Sequence, residues 1–121
     1  PAGGLVVRLR PGRDGGVGRR ALLTADAESN VLSQLPLPAV DVLKVSHHGS
    51  RDEGLPALLT ALRPRVALIE VGAHNDYGHP SAQTLAALAA ARVPLLARTD
   101  RDGIVRIDLG PRGTSVARSR P

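Results

Sequence analysis

The apolar positions fall into short runs separated by turn-forming residues. Leu5 to Leu9 is partly β-branched and weakly alternating, which predicts a strand. Arg19 to Thr24 predicts a second strand, and the glycine-rich stretch from Pro11 to Gly18 predicts a turn that makes the two a hairpin. Ala27 to Leu35 predicts a short helix, with Pro36 and Pro38 beyond it breaking the pattern. Val42 to Val45 is a short apolar run, as expected of a buried strand. Gly54 to Leu62 predicts a helix that tolerates Pro56 in its first turn and stops at Pro64. Arg65 to Val71 is the clearest strand. Pro80 opens a helix through Ala91, with Ser81 near its start and Leu85 and Leu88 on one face. Val93 to Ala97 predicts a strand and Thr99 to Gly103 a turn. Ile104 to Leu109 alternates apolar residues with Arg and Asp, the pattern of a half-buried strand. Gly113 to Ala117 predicts a last edge strand.

Strands alternating with helices predict α/β layering. The polar clusters follow strands and precede helices. Asp26 comes after the second strand, His47 and His48 after the third, and residues 74–79 after the fourth. Loops at strand C-termini are where α/β sheets build their sites.

Composition narrows this picture. The 121 residues suffice for one domain with one core. The apolar share is nearly all Ala, Val and Leu, with Tyr77 the single aromatic. At about 25 cal/mol per Å² of buried apolar surface, such a core is stable by a modest margin. Cysteine is absent, which excludes disulfides, thiolate metal sites and Cys nucleophiles. The net charge is +5, from fifteen Arg, one Lys and eleven acids. The excess lies at the two ends: residues 1–20 hold five Arg and one Asp, whereas residues 46–80 hold three Arg and four acids. Basic ends suit phosphate contacts or simple solvation. No run approaches the roughly 20 apolar residues of a membrane span. A chain that starts at Pro1 and contains no Met is expected to be a piece of a longer protein.

All four histidines lie between positions 47 and 79. His47 and His48, adjacent in Ser46–Ser50 (SHHGS), point to opposite sides if the backbone is extended. Gly49 permits a tight turn, and Ser50 is a candidate cap for the following helix. Asp26 is either a carboxylate ligand or the N-cap of the helix after it. Asn75, Asp76, Tyr77 and His79 share a loop, with His79 just before a helix N-terminus, a place where anions bind. Lys44 in a buried strand calls for a phosphate partner or a route to the rim. Glu70 either orients a histidine through its carboxylate or sits at a sheet edge. A Ser-His-Asp hydrolase using Ser46 or Ser50 competes, but no G-x-S-x-G elbow is present.

Four stretches taken in series are more specific: LLTADAES (Leu22–Ser29), DVLKVSHHGS (Asp41–Ser50), VALIEVGAHNDYGHPSAQTLAAL (Val66–Leu88) and ARTDRDGIVRIDL (Ala97–Leu109). In this order they resemble the metallo-β-lactamase-like domain of the ComEC/Rec2 family, the DNA-internalisation proteins of natural competence. The resemblance treats residues 1–121 as a single domain fragment and is strongest over 4–109. It implies the C-terminal half of an αββα sandwich, with a mixed sheet and helices on one face. The first half, which would bring a His-x-His-x-Asp-His motif, has no counterpart here. Ala25 also departs from the Gly that usually precedes the family's Asp.

The resemblance implies Asp26, His47 and His79 as metal ligands, and His47, His48 and His79 as catalytic positions. Lys44, Ser50, Asn75 and Tyr77 would face the substrate. The implied chemistry is metal-assisted phosphodiester hydrolysis with one or two divalent cations, Zn²⁺ or Mn²⁺. The implied partners are DNA and the rest of a bacterial membrane protein, with this domain on the extracytoplasmic side. The fragment alone is expected to be inactive, and to self-associate or fold marginally. Two rival readings remain at this level: a degenerate DNA- or partner-binding module, and a stand-alone hydrolase of small esters.

Overall fold

The computed structural model describes residues 4–9, 19–25, 27–72, 78–111 and 113–119; at 4–6, 9 and 47 it describes the backbone alone. Among the described residues seven strands form two sheets. The first contains β2 (Ala21–Leu23), β3 (Val42–Lys44), β4 (Val66–Ile69) and β5 (Leu95–Arg98), all parallel and side by side in that order. The second is mixed: β6 (Ile104–Gly110) runs parallel to β1 (Gly4–Leu9) and antiparallel to β7 (Gly113–Arg118).

The expected hairpin of the first two strands does not form. β1 pairs with β6, and β2 pairs with β3 in the other sheet. The glycine-rich segment that suggested the hairpin lies outside the described residues; the strands on either side of it, β1 and β2, belong to different sheets. Strand partners are set by which apolar face each strand can bury, and this is not a local property.

The residue pattern accounts for the layers. β4 (VALI) is buried at all four positions, as befits an interior parallel strand covered on both faces. Val42, Val66, Leu68 and Ala97 of the parallel sheet pack against Val105, Ile107 and Leu109 of β6. Leu43, Ala67 and Ile69 point the other way, into a cluster with the helices. The order is therefore helices, parallel sheet, mixed sheet, an α/β sandwich with helices on one face of the parallel sheet.

Helix α1 (Ser29–Leu32) is a single turn. Helix α2 (Leu55–Leu62) buries Leu55, Leu58, Leu59 and Leu62, one apolar stripe at helical spacing. Helix α3 (Ala82–Ala90) starts later than its Pro80: Ser81 is the N-cap, and its hydroxyl accepts the Thr84 amide at 3.1 Å. The expected turn at 99–103 is a short helix, α4 (Thr99–Asp102). No helix among the described residues is long and apolar enough to cross a membrane.

Among the described residues, four non-glycines have positive φ: Ala25 (49°), His48 (56°), Arg63 (48°) and Arg92 (56°). Each left-handed side-chain-bearing residue costs roughly 1–2 kcal/mol.

Candidate functional site

Because β2 to β5 are all parallel, their C-terminal ends share one edge of the sheet, and the described residues that directly follow them, Thr24, Val45, Glu70 and Thr99, lie there. Hydrogen bonds stitch these post-strand segments together in spatial order. Thr24, after β2, donates through Oγ1 to the Lys44 carbonyl on β3 at 2.6 Å. Ser46, after β3, is buried and donates through Oγ to the Ala27 carbonyl. Thr99, after β5, is buried and holds Val71, after β4, by both polar atoms. Its Oγ1 accepts from the Val71 amide at 2.8 Å and donates to the Val71 carbonyl at 2.9 Å.

The two histidine-bearing segments meet at Gly49 and Pro80. A Cβ built on Gly49 would lie 2.8 Å from the Pro80 Cβ and 3.1 Å from the Ile69 Cγ2. The Ser81 amide donates to the Gly49 carbonyl at 2.9 Å, and the Thr84 hydroxyl to the Ser50 carbonyl at 3.0 Å. SHHGS and GHP are thus one packed unit, with Gly49 (φ 78°) and Gly78 (φ 68°) at turns that need glycine.

His47–Gly49 is a tight turn with left-handed backbone at His48 and Gly49, so the expectation of an extended His pair does not hold. His48 takes φ 56°, ψ 25°, and its exposed ring places Nδ1 2.6 Å from the Glu70 carbonyl oxygen. A carbonyl only accepts, so the neutral ring carries its proton on Nδ1 and its lone pair on Nε2. It is the main-chain carbonyl of Glu70 that holds the histidine, not the carboxylate expected to do so. His79 is partly buried, beside Pro80. The side chain of His47 lies outside what is described, as do Asp26, His74, Asn75, Asp76 and Tyr77.

Other expectations change. Ser50 does not cap the following helix: the N-cap of α2 is Gly54, without a side-chain cap bond. The cap considered for Asp26 is supplied from elsewhere. The N-cap position of α1 is Glu28, and the Ser29 amide and hydroxyl both donate to Asp52 Oδ2, at 3.0 and 2.6 Å. Ser46 is bound to a carbonyl, which gives it a structural task rather than a nucleophile's. Lys44 is half-buried, on the same side of β3 as Val42, toward the second sheet.

Thr99 and the charges beside it were read from the sequence only as a turn and as part of the fourth stretch, with no site role. Arg98 grips Asp100 through Nε at 3.1 Å and a terminal guanidinium nitrogen at 2.8 Å. This bond, with the neighbouring carboxylates, outweighs burial and raises the already high pKa of Arg98. Asp102 is buried; burial works against its charge, but the Arg98 amide, Arg101 and Arg118 outweigh it and hold its carboxyl below the usual range. The only sequence signal was an Arg-Thr-Asp run at a strand end.

An imidazole oriented through Nδ1 by a carbonyl is the arrangement found around metal-ligating histidines, so the donor chemistry fits a borderline divalent cation. In number the set is short. Among the described residues no three His, Cys, Asp or Glu side chains come together.

The chain is similar to ComE operon protein 3 of Bacillus subtilis (strain 168), with 34% identity over 84 residues, 69% of this chain and 11% of that protein. It is 41% identical over 61 residues to Recombination protein 2 of Haemophilus influenzae (strain ATCC 51907 / DSM 11121 / KW20 / Rd), covering 49% of this chain and 8% of the relative. The chain thus spans about a tenth of the length of the curated relatives it matches. These relatives carry the ComEC/Rec2 names toward which the four sequence stretches pointed. No protein-family model matches the chain, and no solved structure matches it.

Proposed function

We propose that this chain forms one side of a hydrolytic site in a DNA-uptake protein of the ComEC/Rec2 kind, with a phosphodiester as substrate. The observation that carries the reading is the union of SHHGS and GHP through Gly49 and Pro80 at the C-terminal edge of a parallel sheet. Similarity to ComE operon protein 3 and Recombination protein 2 supports the DNA-uptake setting. The parent would be a membrane protein, with this part outside its spans on the extracytoplasmic side.

The residues that would hold a divalent cation, Zn²⁺ or Mn²⁺, are His47, His79 and Asp26, completed by ligands from another part of the longer protein. When bound, such a cation lowers the pKa of its water and neutralises phosphate charge. The chain's own residues supply position and proton handling. His48, oriented through Nδ1 by the Glu70 carbonyl, would take part in the proton handling. Lys44 offers a cation at the mouth between the sheets. Ser46 and Thr99 hold the post-strand segments in register by hydrogen bonds to main chain. Asn75 and Tyr77 complete the substrate-facing wall.

The test is a nuclease assay on the corresponding domain of the longer protein, with Mn²⁺ or Zn²⁺. DNA cleavage should require the metal and fall by about a hundredfold or more in His79→Ala and Asp26→Ala, as expected when a ligand is lost. DNA binding without cleavage under every metal would instead make the domain a non-catalytic binding module.

A further inference from the structure

The opposite end of the parallel sheet carries a second concentration of charge. A cleft of about 330 Å³ opens between the C-terminal ends of α2 and α3, lined by Arg63, Arg65 and Arg92 with Leu59, Thr60 and Pro94. No carboxylate among the described residues lines it. Among the described residues none of the three guanidinium groups makes an ion pair. Asp41, whose carbonyl accepts the Arg65 amide, has its carboxylate on the Arg20 amide and Arg19.

Helix C-termini favour cations, and one Arg at each end would satisfy them. Each end carries about half a negative charge, so three Arg leave about two positive charges in excess. Backbone geometry adds a second observation. Arg63 is the C-cap of α2 at φ 48°, ψ 52°, and Arg92 follows the C-cap of α3 at φ 56°. Glycine is the usual residue at such positions, because it takes the left-handed region without strain. Of the four non-glycine residues with positive φ among those described, Ala25 and His48 belong to the histidine edge and the other two line this cleft. Strained residues concentrate where a side chain has a task.

We propose that the cleft is an anion site for phosphoryl groups, held by the guanidinium forks of Arg63, Arg65 and Arg92. The main-chain donors there are already used. The amides of Arg63, Arg65 and Arg92 bond to the carbonyls of Leu59, Asp41 and Ala89, so recognition falls to the side chains. Planar forks suit the tetrahedral oxygens of phosphate and bind them bidentately. This site is separate from the histidine edge and does not depend on its chemistry.

The experiment is an NMR titration of the whole chain, following arginine Nε–Hε resonances, with inorganic pyrophosphate and separately with a short DNA duplex. Both the wild type and Arg63→Gly/Arg92→Gly are measured. Glycine suits both backbone positions, so the double variant should melt at the same or a higher temperature. Its pyrophosphate affinity should nevertheless fall by at least about tenfold, and for the duplex the salt dependence of log K should weaken by about two phosphate contacts. Arg8→Gln/Arg106→Gln, an equal charge change on the other sheet, should leave pyrophosphate affinity within about twofold. Cleft shifts with pyrophosphate alone would assign a small phosphate ester, and shifts with both probes a nucleic-acid backbone. The proposal is overturned if neither probe shifts these resonances, or if the Arg8/Arg106 variant weakens binding as much as the cleft variant.

Discussion

Gly49 and Pro80 touch so closely that a Cβ on Gly49 would stand 2.8 Å from the Pro80 Cβ. Through this contact the segment bearing His47 and His48 and the segment bearing His79 hold each other in place. Gly49 also sits at φ 78°. Gly49→Ala therefore adds a steric clash to backbone strain, and should destabilise the fold by about 2–4 kcal/mol. The urea midpoint reads this directly. A Gly49→Ala variant as stable as wild type would mean that the two segments are not packed together.

Ala25 lies at φ 49°, immediately before Asp26. Glycine takes this conformation without a Cβ penalty but loses more chain entropy on folding. The first effect is the larger, so Ala25→Gly should stabilise the protein by about 0.5–1 kcal/mol. Calorimetric melting should show a higher Tm; a lower one would contradict the left-handed turn.

Thr99 satisfies both main-chain groups of Val71 in a buried setting. Thr99→Val keeps the shape and removes both bonds. Stranding a buried amide and carbonyl should cost about 2–4 kcal/mol. Thr99→Ser should recover most of that. Exchange of the Val71 amide is the specific readout: it should accelerate in the Val variant and stay protected in the Ser variant.

Asp102 has its carboxyl held below the ordinary value of 3.8 in the folded chain. A lowered folded pKa contributes stability above the unfolded value and loses it as pH falls through the folded one. The stability difference between wild type and Asp102→Asn should therefore be constant above about pH 5 and shrink below about pH 4. Urea unfolding across this range tests it. A difference that persists unchanged into strong acid would show that the Arg98 amide, Arg101 and Arg118 do not act on the carboxylate.

What was legible in the sequence follows from physical range. Leu55, Leu58, Leu59 and Leu62 announce α2 because the helical period is local, and Val66 to Ile69 announces an interior strand because all four residues are apolar. That the segments after β2 to β5 share one sheet edge was legible too, since the ends of parallel strands lie side by side; Asp26 and residues 74–77 fall outside the described residues. Strand pairing was not. β1 and β2 read equally well as hairpin partners, and burial against β6 and β3 decides otherwise. The turn at His48 was hidden because left-handed backbone at a histidine leaves no mark on composition. The tasks of Asp52 and Thr99 were not legible because each acts across more than 20 residues of chain, on Ser29 and Val71.

The most direct measurement is a calorimetric titration of Mn²⁺ or Zn²⁺ into this chain and into the longer domain that contains it. A one-sided site predicts weak binding by the chain alone. It predicts tight, stoichiometric binding by the longer domain, lost in His79→Ala and Asp26→Ala. Tight binding by the chain alone, or a longer domain indifferent to both substitutions, would contradict it.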